Sequence, residues 1–244
     1  MKRFIAAAFS LLLILPSFSY AEKITATGDP WPPFLAPDIP NQGIALEIVR
    51  AAFKTQGYEV DMKFVPWARA LGSVKAGSAD ILVGTWWTEE RTKFLTYSDS
   101  YLQNEVNFIK RAGDSYEYDG LESLSGKSVG IVRGYGYKSD FMDAKNFKKP
   151  ESKDLVTTLK KLVAGRVDLA IEDVLVARAL IAQKAPELMD KLAFTKNSFA
   201  VNKLHVTSGI KNPKSGAIIQ AFNKGLAEIK ENGSYDEILK KNGQ

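Results

Sequence analysis

The sequence predicts an α/β fold on a mostly parallel sheet, and two observations carry that expectation. Short strand-like segments and amphipathic helical segments alternate in βαβα order through the first part of the chain, the order that lays helices over parallel strands. The chain also repeats part of itself. "VKAGSADILVG" (Val74 to Gly84) and "LVAGRVDLAIE" (Leu162 to Glu172) align without gaps, with Gly77 against Gly165 and Asp80 against Asp168, 88 residues apart. Each copy is a helix end, Ala-Gly, two residues, an aspartate and an apolar strand. Helix–glycine–strand units are common, so chance competes with the sharper reading, which is two similar lobes.

Taken in order, "KITATGDPWPPF" is a strand followed by a Pro-rich turn starting around Asp29. "GIALEIVRAAFKTQGY" carries Leu46, Val49 and Phe53 at helical spacing, with Gly57 as its cap. "EVDMKFV" alternates, with Val60, Met62 and Phe64 on one face, which is the pattern of a half-exposed strand. "ARALGSVKAG" is a second amphipathic helix, and "ADILVG" a short buried strand. Further on, "GKSVGIVRG" is strand and turn, "SKDLVTTLKKLVAG" a helix closed by Gly165, "RVDLAIED" a strand and "VLVARALIAQ" a helix.

The 244 residues allow one or two domains, and 45% hydrophobic with 25% charged residues is ordinary globular composition. The first residues stand apart. Lys2-Arg3, the apolar run "FIAAAFSLLLIL", Pro16, and small Ser19 and Ala21 give a secretory signal peptide over residues 1–21, cleaved after Ala21. The run is too short for a mature membrane span, although a short N-terminal anchor is the competing reading. Without cysteine there is no disulfide framework, no thiol nucleophile and no lipid-modified cysteine after the leader, which together point to the periplasm. The formal charge is +5; losing Lys2 and Arg3 with the leader takes 33 basic residues to 31 against 28 acidic, a net +3. The lysines are scattered, as on solvated helix faces, so no nucleic-acid partner is expected. His205 is the only histidine, with neither a nucleophile motif nor a second histidine near it, and is expected at the surface or a hinge. "GYGY" lacks the spacing of a nucleotide loop. No metal and no cofactor are expected.

The two echoed strands deliver two chemistries. Ligands of open α/β sheets sit beyond the carboxyl ends of strands. The first copy ends in "GTWWTEER" (Gly84 to Arg91), the second in "EDV", with Glu172 and Asp173. One offers a guanidinium, the other carboxylates, and a zwitterion could lie between them. Local explanations exist for both. Thr88 and the following glutamates suit a helix start with Arg91 paired on the surface, and Asp173 suits a helix N-cap.

The chain resembles the bacterial periplasmic solute-binding proteins of the polar amino-acid ABC importer type, the family 3 extracellular solute-binding proteins. The resemblance runs through "GDPWPPF", "GIALEIVRAA", "KAGSADILVG", "TEERTKFLTYSDSY", "LSGKSVGIVRG", "LVAGRVDLAIEDV" and "AFNKGLAEIKENGSYDEILKK". It implies a two-lobed Venus-flytrap fold with two hinge crossings, at "VNFIK" and near "LHVTSGI". Lobe one would be residues 22–110 plus 204–244, and lobe two 111–203. It implies that Arg91 grips a ligand carboxylate, for which a planar guanidinium is suited. Asp173 would take the α-ammonium, Trp31 would lie over the ligand side chain, Gly84 would abut the ligand, and the Gly134–Tyr135 turn would offer backbone amides to the carboxylate.

Departures from the family pattern fall in the pocket. Trp86 replaces a small hydroxyl residue, Tyr135 stands where another is usual, and "PWAR" adds Trp67 and Arg69 as candidate pocket residues. Neighbours in extended chain face opposite ways. Trp86, which shares the parity of Gly84, is therefore expected in the cleft and Trp87 in the packing. Glu47 is expected to be structural. The expectation is a monomeric binding protein, not an enzyme, that passes a small amino-acid-like or carboxylate-bearing solute to the membrane permease subunits of an importer. Two alternatives stay open: a periplasmic enzyme on the same fold, dehydratase-like or a lytic transglycosylase companion, with Glu172 its one nameable acid or base; and a sensor that presents its closed form to a receptor.

Overall fold

The computed structural model describes residues 21–243; the expected leader, all but Ala21, lies outside the described residues. The chain forms β1 (Glu22–Gly28), α1 (Ile44–Thr55), β2 (Tyr58–Phe64), α2 (Trp67–Ala76), β3 (Ile81–Trp86), α3 (Glu89–Thr92) and the long β4 (Leu95–Arg111). It continues through β5 (Val129–Val132), α4 (Ser139–Asp143), β6 (Glu151–Ser152), α5 (Leu155–Val163), β7 (Leu169–Asp173) and α6 (Val174–Lys184). The long β8 (Leu192–Gly209), α7 (Ser215–Glu231) and α8 (Ser234–Lys241) complete it.

The helices follow the apolar spacing. α1 buries Leu46, Ile48, Val49, Ala52 and Phe53, and lies so close to α7 that a Cβ on Gly225 would come within 2.0 Å of the Ala52 carbonyl. α2 stops at Gly77, whose φ of 79° is the left-handed conformation that ends helices without strain. Asp154 and Asp173 cap α5 and α6 by accepting from Thr157 N and Val176 N. Glu47, on α1, accepts from Lys241 and Asn242 at the surface.

The strands form one sheet in the order β2-β1-β3-β8-β4-β7-β5-β6. β1 runs parallel to β2 and β3, and β5 parallel to β6 and β7. Between these two parallel arms lie β4 and β8, antiparallel to each other from Leu95↔Gly209 to Arg111↔Leu192. The βαβα order does not foretell this antiparallel centre. It arises because the chain runs from one arm to the other along β4 and back along β8. β4 faces β8 along its length and adds β7 from Val106 to Ile109.

The internal echo survives in three dimensions. In the first arm, Asp80 accepts from Thr25 N at 2.8 Å and Thr25 Oγ1 at 2.6 Å, and its own N–H returns to Thr25. In the second arm, Asp168 accepts from Ser128 N at 2.7 Å and Ser128 Oγ at 2.8 Å, and its N–H returns to Ser128. Each aspartate therefore clasps the start of its own strand to the parallel arm neighbour beside it. Among the described residues no helix is long and apolar enough to cross a membrane.

Candidate functional site

The two arms meet at the carboxyl ends of β1, β3 and β5, where the chain places an aromatic chamber. It is lined by Gly28, Asp29, Trp31, Leu35, Ala45, Trp67, Gly84, Trp86, Arg91, Tyr135 and Gly136. Its volume is only about 30 Å³. An amino acid enters only if the walls separate, because that space matches about two water molecules.

Arg91 is 5% exposed and lies on α3, whose cap Thr88 accepts from Arg91 N at 3.2 Å. Its Nη1 donates to Trp86 O at 2.9 Å and its Nη2 to Gly134 O at 2.7 Å. Its guanidinium also lies 5.2 Å from the Trp67 ring centroid. Burial pulls Arg91 below its ordinary value. The approach of the Gly134–Gly136 turn needs Gly136, since a Cβ there would stand 2.6 Å from Arg91 Nη1. Trp67 Nε1 donates to the same Gly134 carbonyl at 2.7 Å. That carbonyl, rather than an amide, is what Gly134 turns toward Arg91, and Tyr135 N donates to Val132 O.

One acidic residue, Asp29, lines the chamber, and two more, Glu172 and Asp173, stand behind it. Asp29 accepts from the Tyr135 hydroxyl at 3.0 Å, and burial pushes its carboxyl up to about 7. Glu172 has no exposed surface; its Oε1 accepts from Trp31 Nε1 at 3.2 Å and from Asp173 N at 2.9 Å. Its Oε2 has no partner, and burial, opposed in part by the Asp173 N–H, pushes the group up to about 8. Asp173 accepts from Val176 N, Asn104 Nδ2 and Glu105 N, and burial raises it too. Among the described residues, no ion pair joins any of these three to Arg91 or to another cation. The rings interlock edge to face, with Trp31–Trp86 and Trp86–Tyr135 centroids both 5.8 Å apart and Trp67–Tyr135 6.0 Å.

Six of the sequence-predicted residues, Trp31, Trp67, Gly84, Trp86, Arg91 and Tyr135, line the chamber, and Gly134 borders it through its carbonyl. Asp173 sits behind it, fixed as the cap of α6 and bonded to β4. Two expectations need correcting. Trp87 does not pack: it is 57% exposed, on a larger groove of about 1290 Å³ outside the chamber. Alternation turned it away from the cleft as expected, but β3 ends there and no layer covers that face. Arg69 is exposed on α2 and borders neither space, because the inward position of that first turn goes to Trp67. His205 is half-buried on β8, with Nδ1 2.8 Å from Ser98 O, and burial lowers its basicity.

Asp29, Gly136, Asn104 and the burial of Glu172 escaped the sequence reading. Asp29 had a usable signal, since it directly follows the carboxyl end of β1, where ligands of such sheets gather. It looked like a turn residue because Gly28 precedes it and three prolines follow within four residues.

The chain is similar to known proteins along nearly its whole described length. The family model described as bacterial extracellular solute-binding proteins, family 3, matches residues 24–244. A probable histidine-binding protein of Campylobacter jejuni is 25% identical over 205 residues, 82% of this chain and 75% of its own. A putative ABC transporter arginine-binding protein of Escherichia coli is 26% identical over 250 residues, covering 96% and 94%. Holo ArgBP from T. maritima superposes with a TM-score of 0.73 at 20% identity, over 93% of this chain and 97% of that one.

Proposed function

The chain belongs to the bacterial extracellular solute-binding proteins, family 3, and from that premise we propose that it captures a small amino-acid-like solute in the aromatic chamber and delivers it to an ABC importer. The observation that carries the reading is Arg91, a buried guanidinium whose Nη1 and Nη2 donate to the backbone carbonyls of Trp86 and Gly134 at the meeting of the two arms. A ligand carboxylate would replace those carbonyls with a charge-assisted, bidentate pair.

The lobes follow from the long strands. β4 takes up β7 at Val106, so we draw the boundary a little before the "VNFIK" segment, between Leu102 and Val106, and between Ala200 and Leu204 in β8. Lobe one then keeps both ends of the chain, and lobe two the segment between. The cross-lobe bonds Trp31–Glu172, Tyr135–Asp29 and Trp67–Gly134 must part for entry. Ligand then favours reclosure because only the closed form makes both sets of contacts. Asp173, behind the chamber in lobe two, would meet the α-ammonium only once Asn104 and Glu105 N release its Oδ2. The mature protein starts at Glu22, works as a periplasmic monomer and meets the permease subunits in its closed form.

Purified, ligand-stripped protein tests this. A panel of amino acids should include at least one that raises the melting temperature and changes tryptophan fluorescence in a saturable way. Chemical conversion of that solute, or undiminished binding by Arg91→Ala, would sink the reading.

A further inference from the structure

We propose that Glu172 is the latch of the closed cleft: a positioning residue that enters the closed arrangement as a neutral acid, so that closing the lobes takes a proton from solvent. The proposal rests on the two-lobed capture reading above and goes beyond it by coupling the hinge motion to protons.

The bonds fix where the latch acts. Glu172 stands near the end of β7, in lobe two. Its Oε1 takes the indole N–H of Trp31, from lobe one, at 3.2 Å. The same oxygen takes the backbone N–H of Asp173 at 2.9 Å, which anchors the carboxyl on its own strand. Only the first bond crosses between lobes. Parting them withdraws the indole and opens the carboxyl to water. Trp31 is itself a wall of the chamber, so Glu172 holds that wall in place.

The surroundings decide the charge. Glu172 has no exposed surface, and its Oε2 has no hydrogen-bond partner. A buried carboxylate stays ionised only where cations or several donors compensate it. None of the ion pairs among the described residues includes Glu172. The titratable groups beside it bring no positive charge. Asp173 adjoins it on β7, Asp29 faces it from the end of β1, and the Tyr135 and Tyr137 phenols face it from the segment after β5. β4 sets the uncharged Asn107 opposite it in the ladder. Arg91 is turned to the Trp86 and Gly134 carbonyls. The closed form therefore keeps the proton, in line with a carboxyl pushed up to about 8, whereas a hydrated carboxyl in the open cleft returns toward the ordinary 4.5.

Between about pH 4.5 and pH 8 the open form is ionised and the closed form is not. Raising the pH across that window favours opening, by up to about tenfold in the open-to-closed ratio per pH unit. Below the window both forms hold the proton and above it neither does, so the ratio levels off. Asp29 accepts from Tyr135 across the same boundary and is pushed up to about 7, so it acts in the same direction. Glu172→Gln separates the two contributions, because glutamine keeps an acceptor for the indole and does not titrate.

The experiment reads the distance between two spin labels in the ligand-stripped mature chain from about pH 5 to about pH 9. The sequence has no cysteine, so Lys54→Cys and Lys145→Cys place one label on each lobe at exposed positions. The open population should grow up to about pH 8 and then level off. Glu172→Gln should flatten that rise, and Trp31→Phe, which removes the donor, should enlarge the open population at about pH 6. A distance that ignores pH, or that follows it equally in Glu172→Gln, overturns the latch. Calorimetric titration with L-arginine, L-lysine, L-glutamine and L-glutamate, in phosphate and in Tris at about pH 7, counts the protons taken up on binding. A probe that binds should take up fewer protons in Glu172→Gln, by as much as about one. Equal counts overturn the latch and leave the capture reading standing. Failure of every probe removes the amino-acid reading, and the pH dependence of the distance then decides the latch alone.

Discussion

Trp31 and Glu172 lie 141 residues apart and are joined by one buried hydrogen bond, 3.2 Å from the indole Nε1 to Oε1. It ties the end of β1 to the end of β7 and so spans the cleft. Burial holds the Glu172 carboxyl at about 8 against an ordinary 4.5. The proton is therefore bound more tightly in the folded form. The resulting stability is complete below about pH 4.5 and is lost as the pH rises through about 8. Asp29, pushed from 3.8 to about 7, acts in the same direction.

Melting temperature should accordingly fall between about pH 5 and pH 8. The slope is at most about 1.4 kcal/mol per pH unit for each group, and less once the cleft opens and water reaches the acids. Glu172→Gln keeps the acceptor for Trp31 and abolishes one titration, so its melting profile should be flatter. A profile parallel to that of the wild type would remove Glu172 from the cause.

Arg91→Lys keeps the charge and loses the fork. The fork now serves Trp86 O and Gly134 O through separate nitrogens. Ligand affinity should fall by about 10- to 100-fold, or about 1.5–3 kcal/mol, measured by titration calorimetry. Equal affinity would mean the carboxylate is held elsewhere.

The matched clasps predict matched costs. Asp80→Ala and Asp168→Ala each leave a backbone N–H and a hydroxyl without their acceptor. Each should cost about 1–3 kcal/mol in urea unfolding. The clasps sit in different arms, so the double variant should equal the sum within about 0.5 kcal/mol. A strongly non-additive double would show that the two arms do not fold as separate neighbourhoods.

The adjacent tryptophans should behave oppositely. Trp86 is 6% exposed and hydrogen-bonded to Asn104, whereas Trp87 is 57% exposed. Trp86→Ala should cost about 3–5 kcal/mol and quench the ligand-linked fluorescence change. Trp87→Ala should move stability by no more than about 0.5 kcal/mol and leave ligand affinity alone. Loss of binding in the Trp87 variant would shift the ligand into the outer groove.

What could be foreseen in this chain was what is local. The strands and helices around Gly77 and Gly165 announce themselves by spacing, and "TWWTEER" marks Arg91 and Trp86 within a few residues of each other. Thr25 and Ser128, the partners of Asp80 and Asp168, lie 55 and 40 residues from them, and nothing nearby points to them. The lengths of β4 and β8 are hidden because "YLQNEVNFIKR" mixes polar and apolar residues where the strand changes neighbours. Asp29 was visible as a residue but not as part of a site, because its partner Tyr135 arrives from the other arm. Trp87 shows the limit of alternation, which says which way a side chain turns and not what it meets there.

Gln103↔Lys203 and Asn104↔Asn202 are rungs of one antiparallel ladder where the two arms join. Neither strand can bend there without the other, so the chain behaves like a door on a double-leaved pivot rather than two weights on separate strings. On the two-lobed reading proposed above, this pairing restricts how the arms can move relative to each other. A single distance between dyes on the two arms would then follow the whole swing.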